Sequence, residues 1–318
     1  MEQTKLKLGI SSCLLGNNVR YDGGHKYDNW LVETLGEWVD YIPVCPELEC
    51  GLPVPREAMR LVGDIDNPRL LTQKTGIDHT ERMQAYSKRR VAELADKELC
   101  GYVFKSKSPS SGMERVKVYP AQGGAAVKKG VGMFAKVFMQ ANPLLPCEEE
   151  GRLHDPVLRE NFIERIFVQH RWNSLQKNNP TVGSLVSFHT AHKLLIMAHS
   201  VVHYRSMGKL VASVSKTELK SVMQQYYIEL MTAIAKPATP SKHQNVLMHI
   251  MGYFKQDIDG SEKAELLQLI NRFKEGLVPL IVPITMLNHY TNKYQKEYLA
   301  GQIYLNPHPI ELKLRNHC

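Results

Sequence analysis

Two cysteines follow apolar, strand-like segments of the sequence and are candidate metal ligands. Cys13 comes directly after the segment 6–12, and Cys45 closes the segment 41–45. Because the carboxyl ends of parallel strands meet at one edge of a sheet, two thiolates placed in this way can converge on a metal centre. From the residues alone, the alternative is a pair of buried free thiols.

Charged side chains close to these cysteines could do acid–base or anion-binding chemistry. Glu47 lies two residues after Cys45 in a proline-containing turn, where a carboxylate beside a metal-bound thiolate would suit a general base. The alternative is a solvated turn residue. Four basic residues flank the same loops and would suit a phosphate or a developing anion, although such residues are commonly only solvated: Arg20, Lys105, Lys107 and Arg115.

The elements that must position these residues alternate between strand and helix. Strand-like runs occupy residues 6–12, 41–45 and 101–106, and residues 78–99 have the spacing of an amphipathic helix. This alternation predicts an α/β domain with a Rossmann-like parallel sheet. The unusual loops come directly after the strands, at residues 11–24, 45–57 and 106–114.

The pattern changes after a proline-containing stretch at 143–146 and an acidic run at 148–150. Beyond that point, six segments carry apolar residues at helical spacing: 158–176, 184–206, 216–235, 241–256, 261–275 and 284–299. The sequence therefore predicts an α/β domain at residues 1–146 and an all-α domain at residues 152–318.

Charge and composition indicate which kind of partner and which cellular compartment to expect. Residues 151–318 carry 20 Lys and Arg against 12 Asp and Glu, which accounts for the whole net charge of +8 of the 318-residue chain. This half is the expected polyanion-binding part, with an ordinary basic surface as the alternative. No apolar run is long enough for a membrane span, and no signal peptide begins the chain. We therefore expect a cytoplasmic protein, no membrane partner, and six cysteines that are free thiols or metal ligands.

The three loops carry motifs that resemble a known family. The stretches "SSCLLG..VRYDGG", "VCPE...GLPVPRE" and "KSKSPSSG" are similar to the TudS family of thiouracil desulfidases, whose sheet domain holds a 4Fe-4S cluster. The second half, with "FVQHRWNSL", "FHTAHKLL", "HQNVLMHIMGYFK" and "PHPIEL", resembles the YbgA domain. In this order the two domains resemble the RudS proteins, which remove sulfur from 4-thiouridine in tRNA. The resemblance implies tRNA as the partner, with no DNA expected.

The resemblance also implies a mechanism and roles for particular residues. In the family, three cysteines hold three irons, and the fourth iron binds the thiocarbonyl sulfur as a Lewis acid. A water molecule activated by a glutamate then attacks the carbon. By motif, Cys13 and Cys45 are implied ligands, Glu47 is the implied base, and Ser108 is an implied proton relay or orienting group.

The third family cysteine is missing from this chain. The family loop reads SPSCG, whereas this chain reads SPSSG and has Ser111 in that place. A serine hydroxyl is a poor ligand for a cluster iron, because it ionises with difficulty and its oxygen is a hard donor. Three explanations remain open: Cys50 is the third ligand, Cys100 is, or the cluster is lost or labile. Cys100 would lie some 15 Å from the carboxyl end of its strand, so Cys50 is favoured.

The SPSSG loop keeps a role even without a sulfur. With Gly112 and several N–H and hydroxyl donors, it would make an anion cradle, in which Ser111 is a candidate substrate-binding residue.

Two patterns in the helical half allow more than one interpretation. His189, His192, His199 and His203 fall close to one stripe of a helix and could bind zinc, although packed imidazoles are the commoner case. Aromatic and basic residues alternate at 170–172, 204–205 and 290–298, which suits base stacking beside phosphates or, equally, helix packing.

The sequence therefore supports two functions. The first is an iron–sulfur desulfidase that acts on thiolated uridine in tRNA, with the helical domain presenting the RNA. The alternative is a catalytically impaired RNA-binding protein, or thiouridine reader, whose cluster site has degenerated at Ser111.

Overall fold

The computed structural model describes residues 5–317. The chain divides between His154 and Asp155 into two compact units, here named the sheet unit and the helical unit. The sheet unit contains a parallel sheet with helices and the helical unit is built of helices, so the predicted fold class is confirmed. Cys13, Cys45 and Cys50 are free thiols, whereas Cys318 lies outside the described residues.

Within residues 5–154, the sheet unit contains eight strands and three α-helices. In chain order they are β1 (Leu6–Ser11), β2 (Val39–Val44), α1 (Pro46–Glu49), β3 (Met59–Val62), β4 (Arg69–Thr72), α2 (Thr80–Ala95), β5 (Gly101–Phe104), β6 (Val116–Tyr119), β7 (Val127–Gly130), α3 (Met133–Ala141) and β8 (Cys147–Glu149). Strands β2, β1, β5 and β8 form one sheet in that order, and β4, β3, β6 and β7 form a second.

The first sheet is parallel throughout, which fixes where its loops meet. Leu6 pairs with Val39, Leu8 with Gly101, and β8 also runs parallel to β5. Buried aromatic residues of β5 and α3, such as Tyr102 and Phe134, pack with α2 in the core on this sheet. The carboxyl ends of the parallel strands therefore lie at one edge, where the predicted loops begin.

Two features of the sheet unit differ from the sequence-based prediction. The second sheet was not predicted, because its strands are only four residues long and one of them, VKKG, has no apolar alternation. Strand β8 overlaps the acidic run at 148–150, which lies beyond the predicted α/β domain at residues 1–146. The carboxylates of this run bind groups that are distant in the sequence: Glu149 accepts the Met113 N–H at 2.8 Å, and Glu150 binds Lys105.

The described part of the helical unit, residues 155–317, contains eight α-helices. They are α4 (Pro156–Lys177), α5 (Val182–His199), α6 (Val201–Ala212), α7 (Leu219–Ile234), α8 (Pro240–Met251), α9 (Gly260–Lys274), α10 (Ile281–Lys293) and α11 (Glu297–Ala300). Side-chain caps begin several of them, among them Asp155, Thr181 and Asp259. Within residues 5–317, no helix has both the length and the apolar composition needed to cross a membrane.

The single helix predicted at 184–206 is two helices. Ser200 has an extended backbone with φ −155°, and its hydroxyl accepts the His203 N–H at 3.3 Å, so it ends α5 and caps α6. A serine N-cap inside an apolar periodic segment is the signal that the prediction missed.

Candidate functional site

A cavity of about 360 Å³ lies at the carboxyl edge of the parallel sheet. Cys13 lies in a 3-10 turn (Ser12–Leu15) that comes after β1, and Cys45 comes after β2 and caps α1. The loop after β5 forms the third wall. The side chains with chemistry in its lining are Cys13, Arg20, Lys26, Cys45, Glu47, Arg56, Lys105, Lys107, Ser108, Ser110 and Ser111. We name this space the sheet-unit cavity.

The structure brings together all the predicted site residues except two. Cys50 does not line the sheet-unit cavity: its thiol donates to the Glu47 carbonyl at 3.2 Å, and its side chain packs against the core. Arg115 lies in a neighbouring cleft, where its guanidinium donates to Glu114 at 2.6 Å. The roles assigned to both residues remain predictions.

The two cavity thiols are protonated in the protein alone. Burial raises the pKa of Cys13 to about 11, although the nearby Lys105 and Arg20 act in the opposite direction. Burial also raises the pKa of Cys45, whose sulfur lies 3.7 Å from the Val19 carbonyl oxygen. A metal centre would therefore have to displace protons from both thiols, which makes metal binding pH-dependent.

Glu47 is held on both sides by hydrogen-bond donors. The Ser110 hydroxyl donates to its Oε1 at 2.9 Å, and Arg56 Nε donates to its Oε2 at 2.9 Å. The Ser108 hydroxyl lies 3.0 Å from that of Ser110, so a short chain of hydroxyls leads away from the carboxylate. This arrangement can orient a general base and carry a proton.

Arg56 joins two of the three loops and was not identified from the sequence. Its Nη2 donates to the Val19 carbonyl at 2.9 Å, and its backbone N–H donates to the Tyr21 carbonyl at 2.8 Å. The guanidinium side chain is only 5% exposed. The available signal was its place at the end of the motif "GLPVPRE". Ser110, at the centre of SPSSG, was missed in the same way.

The Ser108 hydroxyl and helix α3 hold the SPSSG loop in place. Ser108 Oγ accepts the N–H groups of Ser111 at 3.1 Å and Ser110 at 3.3 Å. The Ser110 carbonyl in turn accepts the Phe134 N–H at 2.9 Å. A Cβ on Gly132 would lie 2.6 Å from that carbonyl, so this approach requires glycine. The N–H groups of Ser110 and Ser111, two of the donors available to the expected anion cradle, are thus already engaged.

The basic side chains around the cavity have different surroundings. Lys105 Nζ binds Glu150 Oε1, and Arg20 pairs with Asp22 at 3.1 Å. Lys107 is exposed and has a left-handed backbone with φ 61°. Lys107 lines both the sheet-unit cavity and the cleft that contains Arg115.

The donor set falls one thiolate short of that implied for a 4Fe-4S cluster. The cavity offers the thiols of Cys13 and Cys45, and Ser111, which is 4% exposed, presents oxygen where the family motif has sulfur. Across the described residues, no group of three His, Cys, Asp or Glu side chains is placed to hold a metal ion. The residues present therefore do not fit a cluster held by three cavity thiolates.

The histidines of the helical unit have separate partners. On α5, His189 Nδ1 lies 3.2 Å from the Tyr226 hydroxyl and His192 Nδ1 lies 2.8 Å from the Phe188 carbonyl. His199 Nδ1 lies 2.7 Å from the Lys236 carbonyl. His203 belongs to the next helix and lies 2.8 Å from the Ser200 hydroxyl. Because Ser200 interrupts the helix, the predicted stripe does not exist as one continuous helical face.

One of the aromatic–basic clusters belongs to the core. Trp172 is 2% exposed and stacks on Tyr226 with ring centroids 5.6 Å apart, and Arg171 donates to the Pro307 carbonyl. The cluster at 290–298 is more accessible. Tyr298 stacks on the exposed Tyr253 at 5.2 Å, and Lys193 Nζ lies 4.8 Å from the Tyr298 ring centroid.

Known proteins resemble the two halves of the chain separately. Residues 8–150 match the family model of 2-thiouracil desulfurase, and residues 193–309 match that of a protein of unknown function, DUF1722. YbgA of Escherichia coli K12 is 35% identical over 158 residues, which are 49% of this chain and 94% of that protein. YbbK of Bacillus subtilis 168 is 25% identical over 146 residues, 44% of this chain and 95% of that protein.

A solved structure, that of the [4Fe-4S]-dependent thiouracil desulfidase TudS, is 28% identical to this chain. The match covers 48% of this chain and 95% of the TudS chain, with a TM-score of 0.39. The matches to the family models and to YbgA carry the assignment. The chain belongs to the YbgA family, and its first half matches the 2-thiouracil desulfurase model.

Proposed function

We propose that the chain removes sulfur from thiolated uracil in RNA, with 4-thiouridine in cytoplasmic tRNA as its substrate. The observation that carries this proposal is the position of Glu47. It lines the same cavity as Cys13 and Cys45, in a domain of the desulfurase family, and it is oriented by Ser110 and Arg56.

The proposed reaction is a hydrolysis, which needs no oxidant or reductant. Glu47 takes a proton from water while the water oxygen bonds to the carbon of the thiocarbonyl group. The electron pair of the C=S double bond moves to sulfur, and Glu47 returns its proton to that sulfur. The remaining carbon–sulfur bond then breaks with loss of hydrosulfide, and the hydroxyl on the carbon releases the second water proton as the new carbonyl forms. Ser110 and Ser108 form the route for a proton to or from Glu47, while Arg56 keeps the carboxylate in place.

The ligand roles of the cysteines remain proposals. Cys13 and Cys45 are the proposed thiolates of the 4Fe-4S cluster that the loop motifs imply, and Cys50 is the proposed third. Cys50 is five residues after Cys45, and its half-buried thiol makes hydrogen bonds with backbone groups of Glu47 and Leu52. A change of this side chain's rotamer breaks only weak hydrogen bonds, because a thiol is a weak donor and a weak acceptor.

The helical unit is the proposed RNA-binding part. The second half of the chain carries the excess of positive charge, and it places one exposed tyrosine, Tyr253, and two half-buried ones, Tyr294 and Tyr298, close to lysines. Besides the pair formed by Tyr253 and Tyr298, Lys293 Nζ lies 4.9 Å from the ring centroid of Tyr294. Rings that stack on unpaired bases and cations that neutralise phosphates are the usual combination for single-stranded RNA.

A second candidate function is a thiouridine reader that binds RNA without turnover. The observation that favours it is Ser111, which puts oxygen in place of the family's sulfur. Incubation of the purified protein with thiolated tRNA, without oxygen, separates the two functions. The enzyme converts 4-thiouridine to uridine and releases sulfide, whereas the reader binds the tRNA and leaves its sulfur in place.

A further inference from the structure

A second cavity, of about 400 Å³, lies within the helical unit and has no part in the chemistry described above. We name it the helical-unit cavity. Much of its wall is apolar, with contributions from Pro237, Phe273 and Leu280. Its nitrogen- and oxygen-bearing side chains include Glu160, Asn161, Glu164, His199, His243 and His317. A mostly apolar cleft of this volume with a few convergent polar groups is typical of small-molecule sites.

Two of these polar side chains are fully occupied by the protein. Glu164 Oε1 accepts Arg315 Nη2 at 2.6 Å, and its Oε2 lies 3.2 Å from His199 Nε2. His199 also binds the Lys236 carbonyl through its other nitrogen. Burial alone raises the pKa of Glu164, but Arg315 and His199 outweigh burial and hold it below its usual range. Glu164 and His199 therefore support the cavity wall.

Glu160, one turn earlier on α4, takes its hydrogen bonds from the side chain and the backbone N–H of Arg315. Its Oε1 lies 3.3 Å from Arg315 Nε, and its Oε2 lies 3.7 Å from His317 Nε2, which is beyond hydrogen-bond distance. Burial and the neighbouring Glu164 raise the pKa of Glu160 to about 7, against the effect of Arg315. A buried carboxylate in this state gains stability from any ligand that brings N–H donors.

Two neighbouring groups offer further hydrogen-bonding atoms to the same space. Asn161 donates through Nδ2 to the Ile234 carbonyl at 3.0 Å, so its amide oxygen remains as an acceptor. His243 binds the Tyr304 hydroxyl through Nδ1 at 3.0 Å, which leaves Nε2 as an acceptor in one tautomer and a donor in the other. The lining thus holds two acceptor groups, the Glu160 carboxylate and the Asn161 amide oxygen, together with the cation of Lys274, and a ligand with adjacent N–H donors would complement the two acceptors.

We propose that the helical-unit cavity binds a planar group with two adjacent N–H donors, the chemistry shared by a guanine base and a guanidinium group, and that Glu160 is its recognition residue. The two oxygens of a carboxylate match two parallel N–H bonds, which gives both geometry and affinity. The apolar wall formed by Phe273 and Leu280 would cover the flat face of the ligand. This site is independent of the desulfidase proposal, because it uses no residue of the sheet unit.

Calorimetric titration of the full-length protein with guanosine and with agmatine tests the site and separates its two ligand sources. We expect one of them to bind one-to-one with a dissociation constant below about 1 mM, a typical weak small-molecule affinity. Inosine is the matched control for guanosine because it lacks only the exocyclic amino group. It should bind at least about tenfold more weakly if guanosine is the ligand that binds.

Two variants address the residues of the site. Glu160→Gln, which replaces one acceptor oxygen with a donor, should weaken binding about tenfold or more. Ala238→Phe fills the cavity from a connecting segment and should abolish binding even if Glu160→Gln fails to fold. Glu262→Gln, outside the cavity, should bind like the wild type. Absence of binding by both guanosine and agmatine at millimolar concentration, or unchanged affinity in Ala238→Phe, would overturn the proposal.

Discussion

The Ser110 hydroxyl donates a 2.9 Å hydrogen bond to Glu47 Oε1 and thereby connects the loop after β5 to the loop after β2. These residues are 63 positions apart in the sequence and meet only because β2 and β5 lie on either side of β1 in the parallel sheet. The contact holds the proposed base in the lining of the sheet-unit cavity, with Arg56 on its other oxygen.

The first prediction concerns the proposed general base. Glu47→Gln preserves size and part of the hydrogen bonding but cannot take a proton from water. We expect turnover of 4-thiouridine tRNA to fall roughly a hundredfold or more, with unchanged iron content. Glu81→Gln, at the exposed start of α2, is the matched control. Full turnover in Glu47→Gln at matched iron content would assign the base to another residue.

The second prediction concerns the third cysteine ligand of the proposed cluster. If Cys50 is the third ligand, the wild type should hold a near-complete cluster after anaerobic reconstitution, and Cys50→Ala should lose it. Ser111→Cys should restore it in that background, because a thiolate is a much better ligand for iron than a hydroxyl. Iron and acid-labile sulfide per chain are the readout.

The same measurements favour the reader if the wild type binds little iron and Ser111→Cys gains both cluster and turnover. Iron contents that do not change in Cys50→Ala, Ser111→Cys or Cys13→Ala would contradict an iron–sulfur site in this cavity.

A further prediction concerns tRNA binding by the helical unit. Lys193→Ala and Tyr253→Ala should each weaken the affinity of the full-length protein for tRNA, because one removes a cation and the other a stacking surface. The wild-type affinity should fall steeply with salt concentration, and Lys193→Ala should reduce that slope. Lys216→Ala removes the same charge from an exposed position in the α6–α7 connection and serves as the control. Salt-independent binding would refute a phosphate-based interface.

The buried His192 predicts a pH dependence of stability. Burial lowers its pKa to about 3 from 6.5, and its ring stacks on Phe188 with centroids 3.9 Å apart. Below pH 6.5 the unfolded chain takes up a proton that the folded chain refuses, so the stability contribution is lost as the pH falls towards 3. By pH 5 this residue alone should lower the free energy of unfolding by about 2 kcal/mol.

Urea unfolding at pH 7 and pH 5 measures that contribution. His192→Asn cannot titrate, so its stability should change less between the two pH values, by about 2 kcal/mol. His249→Asn changes an exposed imidazole and should keep the wild-type difference. An equal pH effect in His192→Asn and the wild type would show that His192 does not stay neutral in the folded protein.

The sequence predicts the parallel sheet and the convergence of its loops because both depend on local patterns. Apolar runs mark β1, β2 and β5, and parallel pairing brings the loop after each strand to one edge of the sheet. Hence Cys13 and Cys45 could be placed at one site from their positions alone.

The remaining features depend on tertiary contacts that have no local signature. Two partners of Arg56, the Val19 and Tyr21 carbonyls, lie in a loop more than 30 residues away, and the exposure of Cys50 is decided by how its loop packs on the core. Strand β8 was missed because its acidic side chains are stabilised by distant donors, such as the Met113 N–H.

The most direct test of the desulfidase account is the amount of sulfide released per chain from tRNA that contains 4-thiouridine, measured without oxygen. The account predicts many sulfides per wild-type chain, with an equal gain of uridine in the tRNA, and none from Cys13→Ala or Cys45→Ala. A wild-type protein that binds the tRNA and releases no sulfide after full reconstitution would contradict it, as would undiminished release by Cys13→Ala.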